Sequence, residues 1–434
     1  MIDITAVQGT TDAVRHCDVA VIGGGIVGVS TAYELAKRGV SVALFEKGIV
    51  GGEQSGRNWG WVRQQNRDLY ELRLAMHSLR RWGELGAELG EDLGFRRSGI
   101  LYATDRAADV ERWEGWQAKA RELGFVSEML GASGLARHLP GNAHGWVGGV
   151  WSATDGRAEP SLAAPAIARG AQRLGAKLYQ GCAVRGLDIA AGRISGVWTE
   201  TGRVAASAVV LAGGAWSALF CHRHGIALPA VNVVGSVLRT AEAPAVFDGC
   251  FSAPEVALRR RLDGGYTIAL PGYGRLELAP HNMRNAVKFR ALFQSNLRKK
   301  LAIRAGASFF AGPEAWARWD HDQRSPFERT RILDPRPDHR WARRGLANIG
   351  KLFPSLAGLR ATQVWAGAID TTPDLVPVIS TVPQVAGLVI ASGFSGHGFA
   401  LGPGAGGLVA GLVTGDTNGF EVGPYRLDRF GTAA

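Results

Sequence analysis

Three glycines and one carboxylate carry the most specific chemistry in the chain. Gly23, Gly25 and Gly28 stand in a G-x-G-x-x-G spacing, and Glu46 follows about twenty residues on, the pattern of a dinucleotide site. Each position has a physical task. Gly23 permits a tight turn, Gly25 lets a pyrophosphate approach the backbone, and Gly28 lets a helix pack on the strand before it. Ile26 and Val27 lie where that helix begins, and its free N–H groups and positive dipole end face the phosphates. Glu46 is placed to accept hydrogen bonds from ribose hydroxyls and to repel a 2′-phosphate, which disfavours NADP; Lys47 beside it belongs to the same cofactor-binding set. The motif by itself does not separate FAD from NAD.

The elements around the motif have the required order. Residues 18–22 are an apolar run that reads as a buried parallel strand, 27–37 as a helix and 40–45 as a second apolar strand, which makes one βαβ unit. Further helices are predicted over 67–90, 107–123 and 160–175, with strands over 99–102, 176–179 and 204–212. Trp113 and Trp116 read as core residues. Alternating apolar and polar residues over 228–280 predict an antiparallel sheet, and 284–304 predicts a basic amphipathic helix. A last buried strand over 388–391 precedes a helix over 404–414. The order predicts an α/β domain at both ends of the chain with a mixed sheet and helices inserted between its parts.

Composition limits the alternatives. The chain has 434 residues, 46% hydrophobic and 20% charged, a globular balance that excludes disorder. The four cysteines, Cys17, Cys182, Cys221 and Cys250, form no CxxC pair, so neither a metal site nor a dithiol is expected, and a reducing, cytoplasmic compartment is. Residues 385–413 are nearly uncharged, but Gly393, Gly396, Gly398 and Pro403 interrupt them, which reads as a strand, a loop and a helix rather than a membrane span. The net charge is +11. No nucleic-acid motif accompanies it. The basic segment 284–304 reads as a solvated face; the sharper reading is a docking face for an anionic membrane surface or an acidic electron-transfer partner.

Three further segments bear on the cofactor. Gly51-Gly52-Glu53-Gln54-Ser55-Gly56-Arg57-Asn58-Trp59-Gly60 follows Glu46; Leu211-Ala212-Gly213-Gly214-Ala215-Trp216 comes later; Thr372-Pro373-Asp374 and Gly393-Phe394-Ser395-Gly396-His397-Gly398-Phe399 lie near the C-terminus. In this order they resemble the D-amino-acid oxidase superfamily of FAD-dependent oxidoreductases, which includes amino-acid dehydrogenases, glycine oxidase and sarcosine oxidase. The resemblance runs from about Asp18 to about Gly415. It implies a Rossmann-type FAD-binding domain, discontinuous over 15–92, 148–228 and 342–434, with an inserted mixed-sheet α+β substrate domain over 93–147 and 229–341. It also implies that Ser55, Gly56, Arg57 and Asn58 lie along the pyrophosphate and flavin edge, Val184 at the adenine, Gly213 and Trp216 at the pyrophosphate and ribityl chain, and Gly396, His397, Gly398 and Phe399 at the flavin's pyrimidine edge. Relatives that link FAD covalently do so through a Cys, whose place is taken by Gly367, or through a His, and no His lies between Gly51 and Gly60. Noncovalent FAD is therefore expected.

The reaction so implied is hydride transfer from an amine or amino acid to flavin N5, giving an imine that water hydrolyses, with O2 or a quinone or other electron-transfer acceptor completing the cycle. Side-chain needs are few: orientation and electrostatics. His397, Arg63 and Tyr266 are the candidates for the reacting centre. Arg63 offers a carboxylate-binding fork. Trp59, Trp61, Gln64, Trp365 and Asp370 are the expected pocket walls. A competing reading is a flavin-dependent tRNA-modifying enzyme, supported only by the charge. A nicotinamide-dependent dehydrogenase leaves the segment from Gly393 to Phe399 unexplained.

Overall fold

The computed structural model describes residues 2–294 and 300–431. The first apolar run forms strand β1 (His16–Ile22), buried from Val19 onward because neighbours cover both faces. Helix α1 (Ile26–Lys37) follows, then β2 (Val42–Glu46). Helix α2 (Leu69–Leu89) starts at Asp68, whose carboxylate accepts from Tyr70 N–H, and ends at left-handed Gly90. Helix α3 (Pro160–Arg173) precedes β3 (Lys177–Gln180). Strands β4 (Gly202–Leu211) and β5 (Leu388–Ser392) complete a parallel layer in the order β5-β4-β1-β2-β3. An antiparallel edge strand, Val378–Thr381, closes it beside β5, and the hairpin Val184–Ala190/Arg193–Thr199 pairs antiparallel with β4.

The last helix, α4 (Gly398–Thr414), begins six residues before the expected start at 404. Its glycines explain how it packs. A Cβ on Gly406 would stand 2.5 Å from Ser30 of α1, and one on Gly404 would stand 2.8 Å from Ser78 of α2. The helix thus lies flush against both neighbours, backbone to backbone. Pro403 removes one N–H from its ladder. Beside it the Ser78 hydroxyl donates to Ala400 O (2.6 Å) and accepts from Gly404 N–H (3.0 Å), spanning that step.

A second, ten-stranded sheet is mostly antiparallel. Its long pair is Val231–Thr240 with Ala361–Thr371, in register from Val231↔Thr371. The strands Gly148–Ser152 and Ala361–Thr371 both hydrogen-bond within this sheet, so two segments that the sequence boundaries assign to the FAD-binding domain belong structurally to the other layer. Strand pairing overrides position in the chain here, because each is the hydrogen-bonding partner of an inserted strand.

The expected continuous basic helix over 284–304 is not formed. The described part of that segment is two short helices, Pro280–Asn285 and Arg290–Gln294, and a strand, Leu301–Arg304, that pairs with Gly274–Glu277. Sheet pairing takes residues that charge patterning gave to a helix. Among the described residues no helix is long and apolar enough to cross a membrane.

Candidate active site

A cleft with about 1220 Å³ of space in and above it, part of it open to solvent, lies at the C-terminal ends of the parallel strands, at the point where the order reverses between β1 and β4. Its floor is backbone. Gly23 has φ +107°, and a Cβ there would come within 2.4 Å of Ala212 O; a Cβ on Gly28 would come within 2.0 Å of Gly23 O. Neither position admits a side chain. At Gly25 the nearest atom to such a Cβ is Ser55 Oγ at 3.1 Å, so this glycine leaves open backbone facing the cleft. Helix α1 has no acidic residue in its first turn and no side chain of its own as cap; Ile26 N–H donates to Ser55 Oγ at 2.8 Å. Such a helix end suits an anion. At the far rim the Glu46 carboxylate accepts from Gly24 and Gly48 N–H, both at 2.7 Å, and burial pushes its carboxyl up.

Polar contacts brace the middle of the cleft. Lys47 Nζ lies 2.5 Å from Glu53 and 4.6 Å from the Trp216 ring centroid, and Trp216 Nε1 donates to Glu53. Val184, Gly213, Asn58, Gly396, Gly398 and Phe399 also line the space. Asp370 reaches it from the second sheet. It accepts from Gly393 N–H at 2.6 Å, its backbone carbonyl accepts from Ser395 N–H at 2.8 Å, and burial pushes its carboxyl up to about 6. This aspartate fixes the glycine loop ahead of α4. The long floor, two helix N-termini at α1 and α4, and a carboxylate at the ribose end fit an FAD-sized dinucleotide.

Several residues singled out in the sequence stand elsewhere. Tyr266 is buried in the core of the second sheet, where its hydroxyl donates to Pro244 O and accepts from Val246 N–H. Its hydrogen bonds are spent on a turn, so it has no catalytic position. Arg57 is 1% exposed and donates to Gly52 O and Ala366 O and pairs with Asp334; it braces the loop behind the cleft. Gly367 faces Gln54 and Arg57, with Gln54 Oε1 only 2.1 Å from where its Cβ would be. Gly56 packs under Ile4, and Trp365 donates to Arg57 O; both face a second cavity of about 750 Å³ beneath the N-terminal segment. Gln64 is buried, giving its backbone and side-chain N–H groups to Asp155, and so shapes the loop instead of a wall.

The remaining candidates lie close to one another. Trp59, Trp61 and Tyr102 stand edge to face, at 5.7 and 6.2 Å between centroids. Arg63 is half-buried and donates to Gln65 O at 2.5 Å. Two residues that sequence reasoning missed complete the group. Arg67 is 3% exposed, its Nε donates to Arg63 O at 3.3 Å, and its Nη1 is buried with no hydrogen-bond partner. Burial, and then the Arg63 charge, push the Arg67 guanidinium down to about 9 against the opposing charges of Glu71 and Asp155, which leaves it protonated at neutral pH. Glu71, fully buried on α2, lies 2.8 Å from His397 Nδ1. Burial, and then the Arg67 charge, push His397 down to about 4, so its ring is neutral. Arg67 and Glu71 fall four apart across the start of α2, where Glu71 meets His397; the spacing is visible in the sequence, the partners are not.

Comparison with known proteins agrees with this geometry. Residues 18–412 match the family model described as FAD dependent oxidoreductase (DAO). The structure of L-amino acid deaminase from Proteus myxofaciens, in complex with anthranilate, superposes with a TM-score of 0.94 at 31% identity, covering 99% of this chain and 97% of that one. The sarcosine oxidase subunit beta of Arthrobacter sp is 25% identical over 96% of this chain and 92% of its own length. The glycine oxidase of Geobacillus kaustophilus is 27% identical, over 95% and 97%.

Proposed function

This chain belongs to the DAO family of FAD-dependent oxidoreductases, and on that premise we propose that it oxidises an α-amino acid, binding the carboxylate at Arg63 and Arg67 and holding FAD without a covalent bond. The observation that carries the reading is the pair of neighbouring guanidiniums, neither of which has an ion-pair partner among the described residues, one of them buried with a free Nη1. A buried cation is stable only when paired. A ligand carboxylate supplies the missing partner, and the planar fork of Arg receives it bidentately.

FAD, when bound, supplies a two-electron acceptor for the hydride on the carbon next to nitrogen. The chain's residues do the rest. Arg63 and Arg67 fix the carboxylate, and with it the orientation of the α-carbon. Trp59, Trp61 and Tyr102 wall the side-chain end and keep water from it. The N–H groups at the start of α4 offer positive potential to the edge where negative charge develops. The imine product is hydrolysed by water to a 2-oxo acid and ammonia or an amine. For the cofactor linkage, the crowding at Gly367 by Gln54 and Arg57 supports noncovalent binding.

The test is the visible spectrum of the purified protein under anaerobic titration. Amino acids should bleach the flavin band, and the matching amines that lack a carboxylate should not. Bleaching by both alike would remove the carboxylate from the reading. Acid precipitation should leave the yellow colour in the supernatant; colour in the pellet would mean a covalent bond.

A further inference from the structure

The Glu71–His397 contact does something that cofactor binding does not explain. Glu71 is fully buried on α2, and both its oxygens lie within reach of one atom, His397 Nδ1, at 2.8 and 3.1 Å. A neutral imidazole carries one proton. With a carboxylate at Nδ1 that proton sits on Nδ1, and Nε2 carries a lone pair. The His397 side chain is 18% exposed while Glu71 is wholly covered, so the accessible edge is the one turned from Glu71. The residues on either side, Gly396 and Gly398, line the cleft. The charges of Arg67 and Arg63 both act on the ring, and Glu71, which holds it, stands four residues from Arg67.

We propose that Glu71 is a positioning residue that fixes His397 with its Nε2 lone pair toward the ligand, where it accepts an N–H from the substrate's amino group. The inference rests on the carboxylate subsite proposed above. An α-amino nitrogen is two bonds from the carboxylate carbon, so a ligand anchored on Arg63 and Arg67 brings its N–H groups to the neighbouring side chain. An acceptor there orients the amine with its own lone pair free to form the C=N bond. It also sets a substrate class: primary and secondary amino acids, which keep an N–H on the neutral amine, and not N,N-dialkylated ones, which keep none.

Binding to the FAD-loaded protein tests this without turnover. The probes are benzoate, pyrrole-2-carboxylate, whose N–H is two bonds from the carboxylate carbon, and N-methylpyrrole-2-carboxylate, followed by the shift of the flavin spectrum. Pyrrole-2-carboxylate should bind about tenfold tighter than benzoate, the effect of one well-placed hydrogen bond. N-methylpyrrole-2-carboxylate should show no gain. The ratio should fall to about one in H397A, and in E71M, where no carboxylate holds the proton on Nδ1, while benzoate binding persists. Long-range 15N–1H spectra of the wild-type holoprotein give a second readout that needs no variant: Nδ1 protonated and Nε2 bare. A ratio of one in the wild type, a ratio that survives H397A, or a proton on Nε2 overturns the role of Glu71 and His397 while leaving the carboxylate subsite standing. Benzoate that leaves the flavin spectrum unchanged overturns the carboxylate subsite, and this inference with it.

Discussion

The two sides of the cleft are built from different materials. The cofactor side is backbone: glycines whose missing side chains make the space, and helix ends whose N–H groups face it. The open side is side chains, drawn from a loop, from α2 and from the start of α4, and organised by charge. The difference teaches where each kind of site tolerates change. A backbone cradle fails when any atom is added to it. A charged cluster fails when one of its partners is removed.

The largest effect is therefore expected on the first side. Gly28→Val places atoms where a Cβ alone is 2.0 Å from Gly23 O, so the purified variant should be colourless and should stay so after added FAD. A flavin-to-protein ratio near that of the wild type would break the contrast. Next comes Arg67→Met. Losing a charge-assisted hydrogen-bonding partner in a buried site costs about 2–4 kcal/mol, so KM for the preferred amino acid should rise by about 100-fold with flavin content unchanged. Arg63→Met, at a half-exposed position, should raise it by about tenfold. If Arg67→Met emptied the cofactor site instead, the two sides would not be separable.

A pH series sharpens the contrast further. Asp370 has its carboxyl raised from 3.8 to about 6 in the fold, so the folded state holds a proton that the unfolded chain releases. This group's contribution is then fully present below about 4 and is lost as pH rises through about 6. His397 runs oppositely. Its folded value of about 4 lies below the ordinary 6.5, so stability falls as pH drops from 6.5 through about 4. Urea unfolding of the apoprotein should show Asp370→Asn removing the first slope and His397→Gln the second. The smallest effect belongs to neither side. Tyr266→Phe should cost about 1–3 kcal/mol in stability, for the turn groups left unpaired, with KM and flavin content unchanged; a change in KM would return Tyr266 to the site.

The same division explains what the sequence could reveal. The cradle was legible because Gly23, Gly25, Gly28 and Glu46 sit within one βαβ unit, where spacing along the chain equals spacing in the fold. The loop before α4 was legible as a glycine cluster, although the helix start was placed late because Pro403 reads as a breaker. The strand Ala361–Thr371 falls inside the range 342–434 and yet pairs with Val231–Thr240, since nothing local tells which sheet an apolar strand joins. Arg67 and Glu71 were missed because their meaning depends on partners that the fold supplies. Glu71 meets a histidine more than three hundred residues away. Arg67 stands out only by the hydrogen bond it lacks.

The flush packing of α4 on α1 has one more consequence. The N-termini of these two helices, at Ile26 and Gly398, both line the cleft. Their offset is held by Gly402 against the Ile26 side chain and by Gly406 against Ser30. The seam is therefore a jig: it sets where one group of free N–H donors stands relative to the other. Its tighter contact, Gly406 on Ser30, lies outside the cleft lining, so a bulkier residue there would move one group of donors against the other without entering the ligand space.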